Sequence, residues 1–530
     1  MYIKEKIFKN LFGVMVVILG ILITSICIYA GNRSAGLEGD EVFSYISATS
    51  NGGFKKVCFL EDQTLYEGQY FYNSLSATEE ERFNIPMVVK NQEMDTHPPL
   101  FYILLNFVCS FFPGVYSRWF GIGLNIILLF AVWVGLFLLL DLFLKNKYMA
   151  LILSAIFCCS RLSVSMVLFI RMYVLLMACF LFQSWYHLVL LKRSETQTDM
   201  FCAKNVWKQY LLLAFITLAG ALTHYYFLVY QLMISMLYIV VLLKKKEKKQ
   251  IIYYIVTMAI SGISYCMMYP AVFEHILFKY RGRESVHKFL KQTTLFKDGM
   301  AMFEIFNEYL YHRALIPILS ILLILTVLLI VRKKISWKMV VGHFMLIMPS
   351  IVYFWGISKA APYISLRYVA PVAALIFTFV VIWMKMIWNQ FSDSRKNSFI
   401  ICIVFFVMCM FYPIQSTKSS YYDEKIEVIE TLAEYNEYCI YITGDEYNWK
   451  MWEDYINYPK FKGVFFIDGV KKQKIENQNI IEQKELVVFV DKALDLSEME
   501  SYWSESLLNM NSELIYETSY IYIVQLSKNE

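Results

Sequence analysis

Apolar runs alternate with short basic loops along the first four-fifths of the chain. Most of these runs hold 17–25 residues, which as an α-helix is long enough to cross a hydrocarbon core of about 30 Å. They cover about 11–30, 116–143, 148–162, 172–191, 207–223, 225–243, 251–271, 313–331, 336–356, 367–388 and 398–414. The pattern predicts a polytopic α-helical membrane protein with about 11 spans, the first of them an uncleaved span because no small-residue cleavage site is clear.

Lys and Arg residues in the short loops predict the orientation, because such residues concentrate on the cytoplasmic side. The apolar segment 97–112 decides the count. If it spans the membrane, the basic loops from Lys145 to Arg332 fall outside; if it lies along the interface, every basic loop falls inside. We therefore predict a non-spanning helix begun by Pro98-Pro99. The N-terminus is then cytoplasmic in a plasma membrane, and about 31–115 and 272–312 form outer segments.

The pattern changes after Pro413 to that of a water-soluble domain. Short β-rich runs there predict buried strands, with a helical pattern between them and a pair of strands at the end. The strands are Cys439–Thr443, Gly463–Asp468 and Glu485–Asp491, the helix is Asp423–Tyr435, and the terminal pair lies in Leu514–Leu526. We predict a membrane domain at 1–415 and a small extracytoplasmic α/β domain at 416–530.

Composition agrees with this division. The chain is 58% hydrophobic and 18% charged, whereas soluble proteins carry about 25% charged residues. The net charge of +5 conceals an asymmetry: residues 416–530 hold 11 Lys, no Arg and 22 acidic residues, so the rest carries +16. The basic residues lie in loops, as membrane topology requires, and the acidic tail argues against a nucleic-acid partner.

Asp40 and Glu41 form an acid pair just beyond the first span, in the predicted outer segment. A carboxylate beside the bilayer can act as a general base that takes a proton from an acceptor hydroxyl. The alternative is a solvated loop with ordinary acids. We predict that this pair is catalytic.

Isolated cations lie near the same predicted face. His97 precedes two prolines and the aromatic Tyr102, and Arg171 stands among apolar neighbours beside Tyr173. An Arg at the membrane boundary is a functional candidate by default, and its guanidinium binds oxyanions with two parallel hydrogen bonds. The alternatives are a helix-start device for His97 and a structural ion pair for Arg171.

Two further cations repeat the pattern. His224 and Tyr225 lie between two spans, and Arg367 lies at the start of another. A boundary His with interfacial Tyr explains the first equally well. Several cations on one face indicate a site for an anionic lipid headgroup.

Taken in order, these motifs resemble the GT-C superfamily of polyprenol-phosphate-sugar glycosyltransferases, in particular bacterial protein O-mannosyltransferases and aminoarabinose transferases. The resemblance covers about 30–390 and rests on short motifs: Asp40-Glu41, His97-Pro-Pro-Leu100, Arg171-Met-Tyr173, Thr223-His-Tyr225 and Arg367-Tyr368.

The resemblance implies a GT-C fold, catalysis on the outer leaflet and a lipid-monophosphate sugar donor, with inversion at the anomeric carbon. It implies that Asp40 is the base and that Arg171 and Arg367 are phosphate ligands. Relatives often carry Glu two residues before the Arg of Arg-Met-Tyr, where this chain has Phe169. A role that needs this acid is therefore in doubt here, unless Glu41 supplies it.

These observations predict a hexosyl- or pentosyltransferase that uses no cofactor and no metal. Its partners would be the membrane, a polyprenyl-phosphate sugar and a cell-envelope glycan, lipid or protein acceptor. A transporter or flippase of lipid-linked sugars is the main alternative, and it predicts a polar path at mid-span. A membrane scaffold protein is a third possible function, but it leaves the acids and cations on one face unexplained.

Overall fold

Helices account for most of the chain. The computed structural model describes residues 2–34, 36–53, 55–56, 60–196, 203–290, 295–390, 404, 419–444, 449–507 and 510–528. The helices are α1 (Tyr2–Asn32), α2 (Gly39–Thr49), α3 (Gly68–Leu75), α4 (Ile85–Met94), α5 (Leu100–Cys109), α6 (Arg118–Leu144), α7 (Lys147–Cys158), α8 (Arg161–Leu168), α9 (Tyr173–Thr196), α10 (Ala203–Ala221), α11 (Tyr226–Lys244), α12 (Lys248–Met268), α13 (Val272–Leu277), α14 (Tyr280–Leu290), α15 (Leu295–Tyr311), α16 (Leu315–Val331), α17 (Trp337–Ala360), α18 (Leu366–Val369), α19 (Ala373–Trp388), α20 (Ser419–Tyr435), α21 (Gln478–Ile481) and α22 (Leu496–Ser506). The strands are β1 (Thr64–Glu67), β2 (Tyr438–Thr443), β3 (Gly463–Asp468), β4 (Glu485–Asp491), β5 (Met510–Glu517) and β6 (Ile521–Lys528).

Six segments among the described residues are long and apolar enough to cross a membrane, and two bent helix pairs raise this number to eight. The six are Leu11–Asn32, Arg118–Leu144, Tyr173–Lys192, Tyr226–Lys244, Lys248–Met268 and Leu366–Trp388, and the bent pairs are α7–α8 and α15–α16. The prediction of a polytopic helical membrane protein is confirmed, whereas the count of about 11 is not. The predicted span at about 398–414 lies outside the described residues except for Val404.

The segment 97–112 forms helix α5, which begins directly after Pro98-Pro99. Its 10 residues give a length of about 15 Å. This is about half of what a membrane span needs, so α5 is an apolar helix too short to cross the bilayer.

The described residues divide into two compact units. The first comprises Met1–Ala30, Thr96–Phe101 and Ile122–Thr417, and the second comprises Gly31–Asp95, Tyr102–Gly121 and Lys418–Glu530. Most of the first predicted outer segment therefore groups with the C-terminal part of the chain. The predicted division at 415/416 stays a prediction.

A six-stranded sheet organises the second unit, with the order β1-β3-β2-β4-β6-β5. Strands β3, β2 and β4 are parallel, and β1, β6 and β5 add in antiparallel fashion. The predicted C-terminal strands therefore form a small sheet domain, as the sequence indicated. Its core includes Trp503 and Met499 of α22, packed against the apolar residues of β2, β3 and β4.

Strand β1 comes from the first predicted outer segment, and Thr64 pairs with Phe466 at one end while Glu67 pairs with Gly463 at the other. The chain then turns closely past the C-terminal part. A Cβ atom at Gly68 would lie 1.9 Å from the carbonyl oxygen of Phe461, and the Gly68 amide donates to the Lys462 carbonyl at 2.9 Å. Only glycine fits this approach, which fixes the segment against the sheet domain.

Candidate functional site

Candidate residues of the first unit lie at junctions between helices. His97 precedes α5, Arg171 lies between α8 and α9, and Tyr173 begins α9. His224 and Tyr225 lie between α10 and α11, and Arg367 is the second residue of α18. Helix junctions leave backbone polar groups that need partners, so the local hydrogen bonds determine where these side chains point.

The turn that carries Arg171 is stabilised by the side-chain amide of one residue of α6. Asn125 of α6 donates from Nδ2 to the carbonyls of Val167 (3.0 Å) and Phe169 (3.1 Å). The Arg171 amide also donates to the Phe169 carbonyl at 2.7 Å. These bonds satisfy the end of α8 and set the direction in which the Arg171 side chain leaves the backbone.

The turn that carries His224 depends on a small residue. A Cβ atom at Gly220 would lie 2.3 Å from the Phe227 ring, which is completely buried beneath this turn. Thr223 donates from its hydroxyl to the Ala219 carbonyl at 2.7 Å. The helix end and the following helix start are thus packed closely, and His224 is left at the apex.

Three of these junctions bring their basic side chains together. The guanidinium of Arg171, which is only 3% exposed, lies 3.5 Å from Nε2 of His97. The rings of His97 and His224 are 5.8 Å apart between centroids, and the same distance separates the rings of His224 and Tyr173. Residues that are far apart in sequence therefore form one group.

His224 is held in a defined protonation state. Its Nδ1 accepts a hydrogen bond from the Tyr226 amide at 3.0 Å, so a neutral ring carries its proton on Nε2. Burial lowers the pKa of His224 well below its usual value, and the neighbouring basic groups of His97, Arg171 and Arg367 lower it further. The ring is therefore a neutral donor at Nε2.

Arg367 is surrounded by aromatic rings. Its guanidinium carbon lies 5.4 Å from the centroid of Phe169, 5.4 Å from that of Tyr363 and 5.1 Å from that of Tyr368. Tyr368 in turn contacts Tyr173, with 6.3 Å between ring centroids. Aromatic faces attract a cation without neutralising its charge.

We call His97, Arg171, His224 and Arg367, with the rings of Phe169, Tyr173, Tyr363 and Tyr368, the cation cluster. These eight residues hold two guanidinium groups and two imidazoles but no carboxylate. Phe169 contacts the Arg367 guanidinium with the face of its ring. A cluster of this composition is suited to an anion such as phosphate.

Tyr225 is directed elsewhere. Its hydroxyl lies 2.6 Å from Nδ1 of His275, and the His275 ring contacts Tyr269 with 5.8 Å between centroids. Tyr269 donates to the backbone carbonyl of His97 at 3.1 Å. Tyr225 is thus linked to the backbone of His97 only indirectly, through His275 and Tyr269. Tyr269 was not singled out from the sequence, since a Tyr at the end of an apolar helix gives no signal of its own.

A further basic residue adjoins the cation cluster. Arg281 of α14 donates to the Tyr363 hydroxyl at 3.0 Å and pairs with Glu284 at 2.9 Å. The sequence placed Arg281 in the second predicted outer segment but gave no reason to prefer it over its neighbours.

Asp40, Glu41 and Tyr102 belong to the second unit. Glu41 is buried, and its Oε2 accepts from the Glu38 amide at 2.7 Å, which is half of a capping box at the start of α2. Asp40, one residue earlier, is half-buried. Tyr102 is completely buried in α5. The two acids therefore differ in burial, and Glu41 caps the start of α2.

Among the described residues there is no group of three or more His, Cys, Asp or Glu side chains with the geometry to hold a metal ion. The chemistry that the cation cluster offers is charge stabilisation and hydrogen-bond donation.

Comparison with known proteins points to one architecture. No protein-family model matches the chain, and no curated protein matches it. Among solved structures, ArnT from Cupriavidus metallidurans bound to undecaprenyl phosphate is similar over 96% of this chain and 97% of its own, with 7% identity and a TM-score of 0.54. The apo form of ArnT is similar over 98% of each chain, with 7% identity and a TM-score of 0.50. The chain therefore has the fold of ArnT, a GT-C glycosyltransferase.

Proposed function

We propose that this protein is a membrane glycosyltransferase that moves a sugar from a polyprenyl-phosphate donor to an acceptor hydroxyl. The observation that carries the proposal is the cation cluster, in the fold of a protein whose solved structure is bound to undecaprenyl phosphate. The transfer takes place on the outer face of the membrane with inversion. The acceptor is a glycan, lipid or protein of the cell envelope, and the sugar is a hexose or a pentose.

Charge change on the phosphate explains why cations serve this reaction. A polyprenyl-phosphate sugar is a phosphodiester with one negative charge, and the leaving polyprenyl phosphate gains a second as the sugar–oxygen bond breaks. Arg171 and Arg367 therefore interact more strongly with the transition state than with the ground state, which is the condition for catalysis. His224, as a neutral donor at Nε2, adds a hydrogen bond to a phosphate oxygen.

Asp40 is the general base that takes the proton from the acceptor hydroxyl as the hydroxyl attacks the anomeric carbon. Glu41 accepts the Glu38 amide instead, so we assign it to the stability of α2. His97, Tyr173 and Tyr225 act by orienting the cations or the sugar, and we assign no role in contact with substrate to the buried Tyr102.

Donor-dependent sugar release tests this function. Purified protein in proteoliposomes is given radiolabelled polyprenyl-phosphate hexoses or pentoses together with extracted envelope acceptors, and wild type is compared with Asp40→Asn. Label transferred by wild type and lost in the variant supports both the reaction and the base. Equal transfer by both proteins would remove Asp40 as the base. A folded wild type that transfers no label from any donor would overturn the proposed function.

The flippase alternative has one observation in its favour, because polar side chains do lie within the spans. Gln183 and His187 of α9 bond to Gln231 of α11 and Tyr254 of α12, with 2.9 Å between His187 Nε2 and the Tyr254 hydroxyl. Tyr254 also donates to Ser235 at 2.7 Å. These groups bond to one another and join three helices, as interhelical polar contacts do in membrane bundles. Movement of labelled lipid across the vesicles without transfer would favour the flippase.

A further inference from the structure

Helix α2, which carries Asp40, is buried along most of its length. All residues from Glu41 to Thr49 are buried. Near its end, Asn91 donates to the carbonyls of Ser47 (3.0 Å) and Ser50 (2.9 Å), and Asn106 donates to that of Ala48 (2.8 Å). A helix with so many fixed contacts takes its position from the elements packed around it.

One of these elements comes from the C-terminal part of the chain. Helix α2 packs against a 3₁₀-helix at Trp449–Asp454, and the rings of Phe43 and Trp452 are 5.7 Å apart between centroids. Phe43 lies three residues after Asp40, so both project from the same side of α2. The contact with Trp452 therefore sets the rotation of the turn that presents Asp40.

The 3₁₀-helix is anchored by a buried ion pair. Nζ of Lys425, on α20, lies 2.6 Å from Oδ1 of Asp454, and the two side chains are 2% and 0% exposed. Asn457 donates to the same carboxylate oxygen at 3.5 Å. A short 3₁₀-helix has weak internal hydrogen bonds, so an external anchor is needed to hold its position.

A buried ion pair is a poor way to add stability, because desolvation offsets most of the attraction. Replacing both partners by apolar residues is often neutral or stabilising, whereas removing one partner is not. Its better-attested use is to specify one arrangement among several. Because Asp454 is the last residue of the 3₁₀-helix that packs against α2, the arrangement specified here is the position of that 3₁₀-helix.

We propose that Lys425 and Asp454 are positioning residues for the reaction: their ion pair fixes the 3₁₀-helix, and through Trp452 and Phe43 it orients the turn that carries Asp40. This rests on the function proposed for Asp40. The sheet domain is thereby part of the catalytic machinery and not an appendage with a separate task.

Kinetics of single variants test the positioning role. Lys425→Met is compared with Lys462→Met, which removes a pair of 3.0 Å to Glu437 whose side chains are 65% and 63% exposed. We expect Lys425→Met to lower kcat per folded molecule roughly 10- to 100-fold, as a misplacement of about 1 Å does. The donor KM stays within about twofold, because the cation cluster is intact. Lys462→Met leaves both constants unchanged.

Hydrogen exchange supplies a measurement that does not depend on activity. Amides of Val42–Thr49 should exchange faster in Lys425→Met than in wild type, while those of β2 and β4 keep their protection. Uniform loss of protection across the unit would instead indicate general unfolding and would overturn the positioning role.

A double variant keeps the proposal falsifiable if the single variant does not fold. Lys425→Met with Asp454→Leu leaves no lone buried charge and is expected to fold, yet to retain the defect in kcat. Normal kcat in either folded protein, with Asp40→Asn inactive, overturns the positioning role alone. If wild type transfers no sugar, the proposed function itself fails, and faster exchange confined to α2 would still report the positional coupling.

Discussion

The cation cluster of the first unit and helix α2 of the second hold their charged side chains in different ways. The cluster gathers cations from junctions far apart in sequence and surrounds Arg367 with three aromatic faces. Helix α2 carries two adjacent acids at its start, and all of its residues from Glu41 to Thr49 are buried. Cation–π contacts tolerate small displacements, whereas a fully packed helix does not.

This difference indicates a division of tasks. A group of cations that can adjust is suited to binding a mobile lipid headgroup, so its variants should change donor affinity first. A rigidly mounted acid is suited to proton transfer, which requires heavy atoms within about 3 Å. Variants of α2 and its supports should therefore change the rate of turnover first.

The largest expected effect comes from substituting the two acids of α2 one at a time. Asp40→Asn should lower kcat at least about 100-fold, since a general base contributes roughly 10²–10⁴. Glu41→Gln should lower it only a few-fold, because Gln also serves at this position of a capping box. The measurement is the rate of sugar transfer per folded molecule in proteoliposomes. A large loss in Glu41→Gln with activity retained in Asp40→Asn would exchange the two roles.

Donor affinity tests the cluster. Arg171→Ala should weaken binding of polyprenyl phosphate about 10- to 100-fold, in line with 1.5–3 kcal/mol for a charged hydrogen bond. The affinity of Arg171→Lys for the lipid should lie between those of wild type and Arg171→Ala, because an ammonium lacks the two-pronged geometry of a guanidinium.

The matched control is Arg313→Ala. Arg313 lies in the same unit, pairs with Glu308 at 2.9 Å and has 79% of its side chain exposed. Its removal should leave affinity unchanged in titration calorimetry with the lipid in detergent. Equal losses in both variants would mean that Arg171 acts only through overall charge.

Much of the fold could be predicted from the sequence, because apolar runs and strand patterns can be recognised without knowledge of tertiary contacts. Runs of apolar residues predicted a polytopic helical membrane protein, although not the number of spans, and β2, β3 and β4 were predicted within one residue of their observed limits. The short helix α5 followed from Pro98-Pro99 and from the basic loops. These features depend on local composition, which a single chain displays directly.

Features that depend on long-range pairing could not be predicted. Strand β1 is only four residues long, and it is a strand because β3 lies beside it, some 400 positions later in the chain. The role of Glu41 as a helix cap could not be predicted either, since the roles of adjacent Asp and Glu residues cannot be distinguished before the backbone conformation is known. The ring contacts of Arg367 depend on Phe169 and Tyr363, which no motif connects.

Stability tests the rigidity of α2 directly. Asn106, only 1% exposed, donates to the carbonyls of Ala48 and Glu81 at 2.8 and 3.2 Å. Asn106→Ala leaves these buried acceptors without their donor and should cost about 1–3 kcal/mol. The readout is the thermal unfolding midpoint in detergent. Asn479→Ala, at an exposed position of the same unit, should leave the midpoint in place, and a shift as large as that of Asn106→Ala would argue against a specific role for the bonds to α2.

The smallest expected effect concerns the pH dependence of the cluster. Because burial holds the pKa of His224 well below its usual value, the ring stays neutral in the folded protein, while the unfolded chain takes up a proton near pH 6.5. The contribution of His224 to stability is thus complete above pH 6.5 and is lost as pH falls, by at most about 1.4 kcal/mol per pH unit. His224→Asn offers Oδ1 to the Tyr226 amide and cannot titrate, so it should flatten this part of the profile of unfolding midpoint between pH 5 and 7. His287→Gln, on the exposed helix α14, should keep the wild-type slope. Parallel profiles for wild type and His224→Asn would mean that His224 takes up a proton equally in the folded and unfolded protein, and the ring would then not be held as a neutral donor.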